Sequence, residues 1–232
     1  MVTKLKLNYF NKNELALWIG SMITIIISFC IFDRHNYLTL VASIIGVTSL
    51  IFSAKGNLIG QFLMIIFSLI YGIISYKCSY YGEMITYLGM TMPMAVIALI
   101  SWLKNPFNGN RSQVKVNRIS KKEVYIMIYL TIIVTIMFYI ILRYFNTANL
   151  LLSTLSVTTS FVAVYLTYKR SPYFALAYAA NDIVLIILWS LLINVDVQYI
   201  SVVVCFIAFL INDIYGYINW RKIEIKQSVY CN

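Results

Sequence analysis

Asp182 stands beside Asn181 in the middle of a long apolar stretch, where a carboxylate and an amide have no business unless something answers them. At the centre of a membrane helix an ionised carboxylate costs at least about 2.5–3.5 kcal/mol, so it needs a partner, water or a proton. Tyr178, Asp182, Leu185 and Trp189 follow the i, i+4, i+7, i+11 rule and share one helix face. A second polar cluster comes near the end of the chain and has two faces. Asn212, Tyr215 and Asn219 form one, while Asp213, Tyr217 and Trp220 form the other. Upstream, Gln61, Ser68 and Ser75 recur at sevenfold spacing with Tyr71 flanking them. Glu83, Tyr87 and Thr91 lie at i, i+4 and i+8, ahead of a Pro93 expected to bend the helix.

Aromatic faces combined with carboxylate, amide and hydroxyl groups suit a neutral or cationic ring that carries a polyol. A nucleoside-like vitamin fits this description. A phosphorylated substrate fits poorly, because no Lys or Arg lies at depth to neutralise phosphate. The expected substrate contacts are Asn181, Asp182, Tyr178, Gln61, Ser68 and Tyr71, together with Tyr87, Trp189, Asn212, Asp213 and Tyr215. No metal or cofactor is expected, since Cys30, Cys78, Cys205 and Cys231 have neither ligand-like nor paired spacing.

Purely structural roles compete with these readings. Ser, Asn and Gln in membrane helices often bond a neighbouring helix, and Ser68, Ser75 and Thr91 fit that role well. Tyr and Trp near span ends belong to the interfacial belt, which suits Trp18, Trp102 and Trp220. Asp213 could instead answer Arg221. An intramembrane enzyme finds little support: the one His, His35, falls in a predicted loop, HExxH is absent and no Ser–His pair can form. A carboxylate dyad would need the helices of Asp182 and Asp213 to meet. A scaffold role would follow if no cavity reached Asp182.

The elements that must position these residues are membrane helices. The chain is 61% hydrophobic and 11% charged, too little charge to solvate a soluble protein of 232 residues. Eight apolar stretches are predicted to span, at 15–32, 37–53, 57–76, 81–102, 124–142, 149–168, 172–193 and 198–218. No alternating pattern suggests a β-barrel. With the N-terminus inside, every Lys and Arg except Arg34, Lys77 and Arg143 falls on the cytoplasmic side, as the positive-inside rule expects. Both termini are thus expected in the cytoplasm of a multi-pass plasma-membrane protein. The net charge of +10 then reflects topology and anionic head groups rather than nucleic acid. The first span lacks a small-x-small cleavage site and is expected to be retained.

The chain also looks repeated. Ser53-Ala54-Lys55-Gly56-Asn57 resembles Thr167-Tyr168-Lys169-Arg170-Ser171, and each half runs on to a Trp followed by a base, at Trp102 and Trp220. The alignment puts Ser68 opposite Asp182. Three helices per half and one between them give a parallel repeat, with a substrate site near the midplane. The expected division is an N-terminal tail and helix (1–36), a triple-helix bundle (37–103), a basic loop with a linker helix (104–148), a second bundle (149–220) and a tail (221–232).

These residues also carry a family resemblance. Ile85-Thr86-Tyr87-Leu88-Gly89-Met90-Thr91-Met92-Pro93-Met94, running to Trp102-Leu103-Lys104-Asn105-Pro106-Phe107 and Val114-Lys115-Val116-Asn117, is similar to the PnuC family of nicotinamide riboside transporters. So are Asn181-Asp182-Ile183-Val184 and Asn212-Asp213-Ile214-Tyr215-Gly216, running to Asn219-Trp220-Arg221. The resemblance implies an all-α polytopic protein with a SWEET-like 3+1+3 repeat and an extra N-terminal helix. It implies facilitated diffusion of nicotinamide riboside, trapped by a cytoplasmic ribosyl kinase. Relatives carry other nucleosides or vitamins, so a deoxynucleoside or thiamine, with or without a coupled proton, is the alternative. Self-association into a homo-oligomer is left open. A Trp-rich motif of some members is thin here, with Trp189 the only Trp in its span.

Overall fold

A computed structural model describes residues 9–77, 81–147, 149–194 and 196–230; Lys4, Lys6, Cys78 and Cys231 lie outside them. The described residues form eight long helices: α1 (Lys12–Phe32), α2 (Tyr37–Ala54), α3 (Leu58–Lys77), α4 (Tyr81–Lys104), α5 (Lys121–Tyr144), α6 (Leu150–Tyr168), α7 (Phe174–Ser190) and α8 (Tyr199–Tyr230). Seven are long and apolar enough to cross a membrane. The eighth, α7, has 17 residues, the lower limit of about 17–25 for a span. The exterior is apolar, with α5 turning Ile126, Ile132, Ile136 and Ile140 outward, a surface that suits lipid.

Helix α3 packs between α2 and α4, and α7 packs between α6 and α8. The two groups meet where α2 touches α8 and where α4 touches α6. Helix α1 lies against α2 and α8, and α5 lies against α6. The end where α1 starts and α8 finishes is called here the near end. Between α4 and α5 the chain makes a small hairpin, Pro106–Phe107 with Asn110–Val114, at the near end. Its turn is Asn108-Gly109, both at positive φ, as a tight two-residue connection requires. The strand backbone docks onto Gly56 and Asn105, and Gln227 bonds Val114 and Val116. Those contacts hold α8 helical to Tyr230, through the segment expected to be a tail.

Pro93 does not produce a sharp break. A π-helical turn, Tyr87–Thr91, precedes it, with the Met92 N–H bonding the Tyr87 carbonyl. Pro93 has no N–H for the carbonyl of Gly89, and widening the preceding turn absorbs the mismatch. The widened turn carries Tyr87.

The near end is tied by two matched sets of contacts. The Trp102 indole N–H donates to the Thr167 carbonyl at 2.9 Å, and that of Trp220 donates to the Ser53 carbonyl at 2.8 Å. Helices α1 and α5 each open with a capping box, Asn11 with Glu14 and Ser120 with Glu123. In each the capping Glu reaches a Lys: Glu14 binds Lys55 at 2.8 Å, and Glu123 binds Lys169 at 2.9 Å. The pairs differ in burial. The Glu14 side chain is 2% exposed, whereas Glu123 and Lys169 are 24% and 23% exposed. Glu14→Ala should therefore cost about 1–3 kcal/mol, since it leaves the 19%-exposed Lys55 unpaired and the Tyr215 hydroxyl without its acceptor. Glu123→Ala loses a partly exposed pair worth up to about 1 kcal/mol, plus about 1 kcal/mol of capping. Thermal unfolding in detergent should rank Glu14→Ala lower, and equal midpoints would refute this assignment of burial.

Candidate functional site

The centre of the molecule is built around the α7–α8 contact. Asp182 and Asp213 are 4% exposed each, and their carboxyl groups lie within interaction range of one another. The helices therefore do meet, the condition that the sequence left open for a dyad. Asp182 Oδ2 has no hydrogen-bond partner. Tyr178 lies one turn away, within electrostatic range of both acids, with its hydroxyl in reach of Thr167. Across the divide, the π-turn of α4 brings Tyr87 into range of Asp182 and Tyr178. Arg221, the alternative partner for Asp213, pairs with Glu224.

Asn181 points elsewhere, about 100° round the helix from its neighbour. Its carbonyl oxygen accepts from Thr159 at 2.8 Å and from Ser156 at 3.4 Å, both on α6. Aromatic residues close the other side. Tyr71 and Tyr87 have ring centroids 4.6 Å apart, and Phe67 lies 6.1 Å from Tyr87. Trp189 is buried against Tyr199 with centroids 5.4 Å apart. Ser68 is fully buried and its hydroxyl has no partner, as has that of Ser75. Neither hydroxyl makes the helix–helix bond that Ser residues at these positions often form. Thr91 bonds the Thr86 carbonyl within its own helix.

Three of the expected contacts lie away from this centre. Gln61 donates to Ser53 across the α2–α3 contact. Asn212 donates to Ser21 at 2.9 Å and to the Ala208 carbonyl at 2.8 Å. Tyr215 donates to Glu14 at 3.1 Å. The face of α8 that holds Asn212, Tyr215 and Asn219 is thus taken up by α1 and α2, with Asn219 bonding the Ala54 carbonyl. The opposite face carries Asp213 to the centre. Sequence reasoning missed Thr159 and Ser156, ordinary hydroxyls in a helix, and the buried Glu14, placed just before the first predicted span.

Two adjoining cavities lie towards the far end, and neither is lined by Asp182 or Asp213. The outer one, about 230 Å³, is lined by Tyr81, Glu83, Phe145, Thr147 and Trp189 among others. The inner one is about 30 Å³ and runs past Thr86 and Tyr87 to Asn181. A third space, about 60 Å³, opens between Asp33, Tyr71, Ser75 and Trp189. Burial pushes the Asp33 carboxyl up from its ordinary pKa, and hydrogen bonds from Asn36 and Ser201 pull it partly back. At the near end Trp102 and Trp220 fill the interior, 1% and 0% exposed.

The sequence model of the family described as nicotinamide mononucleotide transporter matches residues 36–222, most of the chain. The chain belongs to that family. As a member of the nicotinamide mononucleotide transporter family it is a multi-pass membrane protein of transport rather than an enzyme. It is similar to the nicotinamide riboside transporter PnuC of Neisseria mucosa, 24% identical over 217 residues that cover 92% of this chain and 82% of that protein. The same protein of Haemophilus influenzae is 23% identical over 209 residues, covering 90% and 89%. The fold matches a solved structure described as the vitamin B3 transporter PnuC, with a TM-score of 0.78, 21% identity and 94% of both chains covered.

Proposed function

We propose that this family member takes up nicotinamide riboside across the plasma membrane by facilitated diffusion. The observation that carries the reading is the central cluster: Asp182 and Asp213 lie within range of each other beside Tyr178 and Tyr87, and Asp182 Oδ2 is unanswered. A ribose hydroxyl or a carboxamide N–H would supply that missing donor, and the tyrosines would stack on the ring. The names of the two PnuC relatives support the same substrate. The cations Lys55, Lys169, Arg170 and Arg221 stay at the near end, which favours the riboside over its mononucleotide.

Helices α2–α4 and α6–α8 form the two bundles of a SWEET-like parallel repeat, with α5 as linker and α1 as the extra helix. The matched Trp and Glu–Lys contacts support that division. Rocking of one bundle against the other would expose the site alternately. Both termini lie in the cytoplasm, where a ribosyl kinase traps the product. Proteoliposomes should accumulate labelled riboside to equilibrium and be competed by unlabelled riboside, with mononucleotide, thiamine and a deoxynucleoside much weaker. Equal competition by the mononucleotide would overturn the choice.

The meeting of Asp182 with Asp213 favours a second reading, in which the pair carries a proton with the substrate. Two carboxyls within range of each other inside a membrane cannot both ionise cheaply, so the pair holds one proton. An inward proton gradient should then drive uptake above equilibrium in wild type but not in Asp213→Asn. Uptake indifferent to an imposed gradient rejects this reading and leaves the uniporter.

A further inference from the structure

We propose that the far-end cavity is a first-contact subsite for a planar, delocalised aromatic cation, with Glu83 as its counter-charge. Among the described residues that line the cavity, Glu83 is the only charged side chain. Its Oε2 is sealed from solvent and has no hydrogen-bond partner, and Thr147 Oγ1 on the same wall has none either. Glu83 takes part in none of the ion pairs among the described residues. A buried carboxylate oxygen left unanswered is costly, and Glu83, as part of the cavity wall, can turn its carboxylate to meet what enters.

The walls decide which cation this is. Tyr81, Phe145 and Trp189 line the cavity, and the Tyr81 and Phe145 rings lie 6.3 Å apart. Aromatic walls and one carboxylate favour a flat, weakly hydrated charge over a compact ammonium, which holds its water tightly. The cavity is smaller than the roughly 300–1,000 Å³ that encloses a whole drug-sized ligand. It therefore takes a ring and leaves the polyol outside. The inner space has room for about one water, so the way to Asn181 is narrow in this state. Gly82 forms part of the wall common to both cavities, and a Cβ there would come within 2.6 Å of Leu142 and Thr147. A ring held by Glu83 would thus wait at the neck, in line with Tyr87 and Asn181 behind it. The inference rests on the proposed function in one respect, that the substrate's pyridinium ring carries this charge.

The test uses purified full-length protein and 1-methylnicotinamide, which has the charged ring and no ribose, with neutral nicotinamide beside it. Binding is read by calorimetry. Wild type should bind the cation, and Glu83→Gln should weaken it about tenfold, as expected for loss of one charge-assisted contact. Glu83→Asp, which keeps the charge, should fall between the two, and neutral nicotinamide should not distinguish the variants. In proteoliposomes Glu83→Gln should raise the KM for riboside by a similar factor with little change in maximal rate. It should leave the uncharged dihydro form of the riboside unaffected. No binding of the cation by wild type, equal binding by Glu83→Gln, or equal losses for charged and neutral ligands would overturn the subsite. A wild type that binds the ring cation yet takes up no riboside would sink the substrate reading alone.

Discussion

Asp182→Asn is expected to cut riboside uptake by roughly 10- to 100-fold while leaving thermal stability equal or higher. The first half follows from the lost acceptor: hydrogen bonds to a charged group contribute about 1.5–3 kcal/mol, and each 1.4 kcal/mol is tenfold. The second half follows from burial. Asp182 and Asp213 lie within range of each other at 4% exposure, and among the described residues their ion pairs to Lys or Arg are none. Such a pair is a stability burden, and converting one member to an amide relieves it. A structural role for Asp182 would make the opposite forecast, with stability and uptake falling together. Melting in detergent and initial-rate uptake on one preparation separate the two. Asn181→Ala should also lower uptake, but by less than tenfold, because Thr159 and Ser156 already occupy its carbonyl oxygen.

Much of this arrangement was legible before any coordinates. Hydropathy placed seven of the eight helices to within three residues at each end, because lipid allows almost no other way to satisfy a spanning backbone. It ended α8 at 218, where the helix runs on to Tyr230. The cost of charge at depth picked out Asp182 and Asp213, and helical spacing put Tyr178 and Trp189 on the Asp182 side. Which face of α8 looks inward was not legible, since both faces carried polar residues. The structure gives the Asn212 face to α1 through Ser21 and Glu14, partners far away in sequence. Glu14 was hidden for a related reason, and for Glu83 the helical spacing was legible but its unanswered carboxylate was not. Each lies at a helix start, where a carboxylate ordinarily faces water, and only tertiary packing buries Glu14 and encloses the Glu83 Oε2. A bend at Pro93 was the expectation, and the π-turn that carries Tyr87 was not foreseen.

Trp220→Ala should be the most destabilising single change at the near end, by about 3–5 kcal/mol. The indole is wholly buried, packs against Phe174 and Trp102 at 4.9 and 5.5 Å, and donates to the Ser53 carbonyl. Trp220→Phe keeps most of the ring and removes the donor, stranding a buried carbonyl at a cost of about 1–3 kcal/mol. Trp102→Phe does the same to the Thr167 carbonyl. Because the two rings touch, the double Phe variant should depart from additivity by about 0.5–3 kcal/mol. The contacts also cross between the halves: Trp102 on α4 bonds the end of α6, and Trp220 on α8 bonds the end of α2. If the bundles rock about the central site, these are the bonds that must break for release at the near end. Loosening them should therefore shift the resting population towards a near-end-open form as well as lower the melting point. A Cys placed at the fully buried Ser171, with the natural cysteines replaced, reports on that shift through a water-soluble thiol reagent. Faster labelling in Trp220→Phe is the expected result. Unchanged labelling with a lowered melting point would make the Trp pair a structural clasp with no part in access.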